Sequence, residues 1–146
     1  MSWLMLGQLG STLPLVGLIW FVQLVAYPLF ADAGALEQAA FLAYHRRHSE
    51  RITFIVLPLM LTELLAAGAW LVVPRGVPRS AAVLGFALVV VAWLCTGLVS
   101  VPRHEELGRG FDARAHSRLV TTNWIRTACW TARGILLLVL LRVTAS

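Results

Sequence analysis

AAVLGFALVVVAWLCTGLVSV, residues 81–101, carries no charged side chain. Its length matches the ~20 apolar residues a helix needs to cross the hydrocarbon core of a bilayer. Three further runs outward from it have the same character. Residues 4–30 are uncharged, residues 52–73 are interrupted only by Glu63, and residues 119–141 contain only Arg126 and Arg133. These runs use up most of the 146 residues. The expectation is one all-α membrane domain over 1–146, a polytopic four-transmembrane-helix bundle running up-down-up-down. The longer loops, 31–51 and 102–118, then lie on one side.

Composition agrees. The hydrophobic set makes up 59% and charged residues only 13%, against about a quarter charged in soluble domains. Such a chain can neither stay disordered nor cover a water-facing globule with polar surface. The net charge of +5 comes from 12 arginines, with no lysine. They sit at the ends of apolar runs, which argues for a lipid bilayer as partner and against nucleic acid. The N-terminus lacks a basic region and its apolar run is too long for a signal peptide, so cleavage is not expected. Cys95 and Cys129 fall inside spans without CxxC spacing and read as buried apolar thiols.

Arginines near span ends orient a membrane protein. Arg46, Arg47, Arg51, Arg103, Arg109, Arg114 and Arg118 follow spans one and three, while Arg75, Arg79 and Arg142 lie on the other side. That bias predicts the inner (cell) membrane with both longer loops cytoplasmic and both termini outside.

The spans pair into two hairpins joined by Pro74-Arg75-Gly76-Val77-Pro78, a turn signal. Tyr27-Pro28 and His48-Ser49 in the first hairpin correspond to Val101-Pro102 and His116-Ser117 in the second, so two repeated hairpins are a candidate architecture. Leu36, Ala40, Phe41, Tyr44 and His48 recur at helical spacing, which starts the second helix ahead of the membrane. Pro14 and Pro58 are expected kinks.

Ionisable groups inside spans are expensive, about 2.5–3.5 kcal/mol on insertion scales, and mark function or pairing. His116, Leu119, Asn123, Arg126, Trp130 and Arg133 form one stripe of span four, which should face the bundle interior. At 1.5 Å per residue Arg126 lies about 10 Å and Arg133 about 21 Å below the loop end. Glu63 lies about 16 Å below it, within reach of either. One arginine can be tied to Glu63 and the other left to hold an anionic or enolate-like oxygen. Gln23 and Asn123 stand at similar depth and suit an interhelical hydrogen bond or a polar pocket. Tyr27, Trp124 and Trp130 are the aromatic candidates for contact with a flat apolar substrate. His45 and His48, at i and i+3, and His104 after span three form an interfacial histidine cluster. They are candidate proton-transfer groups or ligands for Fe, Cu or Zn; nothing in the sequence requires a cofactor.

Phe41 to His45, the stretch Pro102-Arg103-His104-Glu105-Glu106-Leu107, and Trp124 with Arg126 resemble the small four-helix bacterial membrane proteins related to anthrone oxygenases. That family usually carries Asn where His104 stands here. The resemblance implies oxygenation of a flat lipophilic phenolic ring. The leading expectation is therefore a membrane oxygenase or oxidoreductase acting on a small lipophilic molecule near the cytoplasmic leaflet. Its acid–base candidates are His45, His48 and His104, with Asn123 and Arg126 on substrate oxygen. A small transporter or non-catalytic partner subunit is the alternative, with Glu63 and an arginine as a gating pair. Self-association into a homo-oligomer is left open. A cavity of roughly 300 Å³ or more, walled by aromatics and reached by the histidines, is the feature that favours the enzyme.

Overall fold

The computed structural model describes residues 3–73 and 76–145. Four long helices make the fold: α1 (Trp3–Gly34), α2 (Gln38–Val72), α3 (Arg79–Leu107) and α4 (Ala113–Ala145). No strand occurs among the described residues. Each helix is long and apolar enough to cross a membrane. The chain is a membrane protein of the four-helix kind. Pro74 and Arg75 of the expected turn lie outside the described residues, and Gly76 beside them has φ +71°, open to glycine without strain.

The helices form a square. α1 packs on α2 and α4, and α3 packs on α2 and α4, while among the described residues the diagonal pairs keep their backbones apart and meet only through side chains. Both expected loops are mostly helix. α2 starts at Gln38 and α3 continues to Leu107, so the connections shrink to 35–37 and 108–112. Asp112 caps α4 by accepting the Ala115 N–H at 2.6 Å. Gly34 lies so close under the Phe111 ring that a Cβ there would displace it, and this contact clamps the two connections together.

The bundle is apolar outside and polar inside. Phe54, Leu65, Leu98 and Ile135 are exposed, whereas Gln8, Thr12, Gln23, Glu63, Asn123, Arg126 and Arg133 are buried. That inversion suits lipid, where an outward apolar surface costs nothing and polar groups must find partners internally. Apolar packing closes the two ends. Phe30, Phe41, Leu107 and Leu119 fill the loop end, and Met5, Trp70, Leu137 and Leu140 fill the other.

Pro14 and Pro58 sit within continuous helices. The departures from α geometry come elsewhere. One π-helical turn spans Val22–Ala26 in α1 and another spans Thr96–Ser100 in α3. Tyr27 N–H bonds Val22 O and Val101 N–H bonds Thr96 O. In each case the next residue is a proline, Pro28 or Pro102, whose ring crowds the carbonyl four residues back. One extra residue in the turn relieves that crowding. The π turns thus sit at matching places in the two hairpins.

Candidate functional site

The middle of the bundle holds a closed polar knot. Arg133 Nε lies 2.9 Å from Glu63 Oε1, and Thr12 donates to the same oxygen at 2.7 Å. Trp130 Nε1 donates to Glu63 Oε2 at 2.9 Å. The Arg133 Nη1 group donates to Gly85 O at 2.7 Å, and Nη2 donates to Gln8 Oε1. All four helices contribute, and both Glu63 and Arg133 are buried. A Cβ at position 85 would lie 2.8 Å from Arg133 Nη1 and would push the guanidinium off the Gly85 carbonyl. A buried pair with this many partners ties helices together. Of the two arginines within reach of Glu63, Arg133 is the partner.

Arg126, on the same stripe of α4, is treated differently. It is buried, yet among the described residues no carboxylate lies within salt-bridge distance of it. Its Nη1 donates to Ser100 Oγ at 3.2 Å, and the guanidinium carbon lies 5.1 Å from the centroid of the Trp130 ring. Its Nε has no hydrogen-bond partner. Arg126 lines a cavity of about 300 Å³ with Tyr27, His48, Trp93, Ser100, His104 and Trp130, against an apolar wall that includes Leu15, Ile19, Val56 and Met60. Trp93 Nε1 also lacks a partner. The rim includes Thr53 and Leu57 of α2 and Gly97 and Val101 of α3, all exposed. The cavity therefore opens sideways between these two helices, on the surface that faces lipid.

His104 separates this cavity from a second space. A groove of about 780 Å³ at the loop end is lined by His45, Arg46, Ser49, Glu50, His104 and Glu105. Tyr27 Oη lies 3.2 Å from His104 Nε2, and His104 Nδ1 lies 3.1 Å from His45 Nε2. A hydroxyl and two imidazoles thus form an unbroken hydrogen-bonded row from cavity to groove. The π turn ahead of Tyr27 and the one ahead of Val101 set the helical register from which Tyr27 and His104 meet. Phe30 supports the row, with its ring 5.5 Å from His45 and 6.2 Å from His104. His116 Nε2 lies 2.7 Å from the Tyr27 carbonyl. A carbonyl can only accept, so that nitrogen carries the proton.

Several expected site residues prove to have other surroundings. Asn123 donates to Gln23 Oε1 at 2.8 Å, and Gln23 donates to Val120 O at 3.3 Å. Neither lines the cavity; they make the interhelical bond that their depth suggested. Trp124 is 46% exposed and packs edge-on against Trp20 at 5.7 Å, away from the cavity. Glu63 and Arg133 belong to the knot. His48 faces the cavity and presents its ring to Phe30 at 4.9 Å. The three candidate ligands His45, His48 and His104 do not converge. Among the described residues no group of three or more His, Cys, Asp or Glu side chains is arranged to hold a metal ion.

Trp93 and Ser100 also line the cavity. Trp93 lies too deep in its span for the headgroup level, where a tryptophan either packs between helices or lines a cavity, whereas Ser100, two residues before Pro102, carries no such signal. Both lie on the α3 face turned toward Arg126. Comparison with known protein families, curated proteins and solved structures found no match.

Proposed function

We propose that this chain is a membrane-embedded enzyme of the oxidoreductase kind, acting on a small lipophilic molecule that enters the cavity between α2 and α3. The observation that carries the reading is the row Tyr27–His104–His45, which joins a lipid-facing cavity containing an arginine to a polar groove. Both ring nitrogens of His104 are engaged, so the group that meets the substrate is the Tyr27 hydroxyl. A proton leaving an activated C–H or O–H of the substrate passes to Tyr27 Oη as the hydroxyl proton moves to His104 Nε2. The Nδ1 proton of His104 then moves to His45. Charge left on substrate oxygen is met by Arg126, where fixed donors in a low-dielectric site act most strongly. With dioxygen as co-substrate, an activated CH₂ becomes C=O, one oxygen atom being retained and the other leaving as water.

The test is turnover of a tricyclic aromatic ketone with an activated methylene, using protein in lipid nanodiscs under dioxygen. Diketone formation should consume one dioxygen per substrate and exceed the rate of empty discs. Tyr27→Phe and His104→Gln should each lower the rate about 10²–10⁴-fold, the usual contribution of a positioned acid–base group. His48→Gln should leave most of it. Rates equal to empty discs, or unaffected by Tyr27→Phe, overturn the reading.

A further inference from the structure

Arg126 and Arg133 provide an internal comparison. Both are buried on one stripe of α4, and the protein surrounds Arg133 with Glu63, Thr12, Gln8 and the Gly85 carbonyl. Arg126 receives only neutral partners, the Ser100 and Tyr27 hydroxyls and an aromatic face, and its Nε stays without a partner. The fold is able to neutralise a buried arginine and does not do so at the cavity. The other unpartnered polar group there, Trp93 Nε1, is also a donor. Thr96 and Ser100 add only hydroxyls, of which the Thr96 Oγ1 proton already goes to Ala92 O at 2.8 Å. No carboxylate lines the cavity. Its polar end thus carries positive charge and spare donors, while its wall is aliphatic and aromatic.

We infer that the cavity is a binding site for a lipophilic anion, a molecule with one charged oxygen group on an apolar body, whose charge is met by the Arg126 guanidinium. The missing counter-ion is supplied by the ligand. A volume of about 300 Å³ is at the small end of the range for small-molecule sites, which suits a single chain or ring system rather than a two-chain lipid. The sideways mouth at Thr53, Leu57, Gly97 and Val101 lets such a molecule enter from the bilayer, where its apolar body already resides. The inference rests on reading this cavity as the substrate site and names the charge class of what it takes. A fatty carboxylate and a lipophilic phenolate or enolate share that chemistry.

Binding separates it from catalysis. Protein in zwitterionic nanodiscs is titrated calorimetrically with dodecanoate, dodecanol and dodecyltrimethylammonium, each corrected with empty discs. A long-chain phenol, titrated with its hydroxyl ionised and un-ionised, distinguishes the second source of anion. Dodecanoate or the phenolate should bind about tenfold or more tighter than its neutral counterpart, as expected for hydrogen bonds to a charged group, and the cation should not bind. Arg126→Gln should abolish the preference, weakening dodecanoate about tenfold or more and dodecanol far less. Trp93→Phe, which keeps the aromatic wall, should weaken the anion several-fold and serves if the arginine variant fails to fold. Equal affinity for anion and neutral analogue, or a preference that survives Arg126→Gln, overturns the inference. Anion binding without turnover of the ketone would refute the enzyme reading alone. Turnover without anion preference would refute this inference alone.

Discussion

Arg133 and Arg126 stand two helical turns apart, and one carboxylate separates their fates. Removing it is therefore informative. Glu63→Gln leaves a buried guanidinium without its counter-charge, and breaking a fully buried pair in this way costs about 3–5 kcal/mol. Thermal unfolding in detergent should register that loss. Replacing both partners, Glu63→Leu with Arg133→Met, should recover much of it, because no charge is then stranded. Arg126→Met should behave in the opposite sense: with no counter-ion to strand, the ligand-free variant should be as stable as the parent or more so. A large loss in that variant would mean that the Ser100 and Trp130 contacts already compensate the charge. The stripe on α4 and the need for a partner were legible in the sequence from periodicity and the cost of intramembrane charge. Which arginine pairs was not legible. Glu63 lies at a depth between the two, and the choice is made by Thr12, Gln8 and the Gly85 carbonyl, contacts from two other helices that axial distance does not encode.

At the scale of elements, helix number, span positions and the early start of α2 follow from apolar runs and spacing. The π turns do not. A π turn is a one-residue change of backbone register, and the only local sign of it is a proline downstream, the same sign that suggested kinks at Pro14 and Pro58. Yet these turns bring Tyr27 and His104 to each other. Their nature makes a specific prediction. Deleting Leu24, an exposed residue inside the first π turn, together with Pro28→Ala should convert the turn to a regular α-helix. The register is kept on both sides, so the variant should fold with a Tm within a few degrees of the parent. Deleting Gly17, also exposed but in regular helix, rotates one half of α1 by about 100° against the other. That variant should lose Gln8 and Thr12 from the knot and fail to yield folded protein. Equal tolerance of the two deletions would show that the first turn carries no extra residue.

The whole molecule is polar at its centre and apolar at its circumference, which leaves its ends to decide how it sits in a membrane. The end with connections 35–37 and 108–112 carries Arg46, Arg47, Arg51, Arg109, Arg114 and Arg118, all exposed, and Arg103, paired with Glu106 at 2.7 Å. None of these seven is drawn into the bundle's interior machinery. Their positive charge is available to hold that end in the cytoplasm. The opposite end has Arg75, Arg79 and Arg142. The orientation expected from this imbalance puts the groove lined by His45 on the cytoplasmic side, where the proton row would discharge. Ala113→Cys places an exposed thiol at the start of α4. The native Cys95 and Cys129 are buried and should stay unreactive. In intact cells an impermeant maleimide should leave Ala113→Cys unlabelled and should label it once the membrane is opened. A reporter fused after Ser146 should read as external. If the bias is what orients the chain, changing Arg46, Arg47, Arg109 and Arg114 to Gln while adding arginines beside Arg79 and Arg142 should invert both readouts. Labelling of Ala113→Cys in intact cells carrying the parent charges would reverse the orientation, and the proton row would then open to the outside.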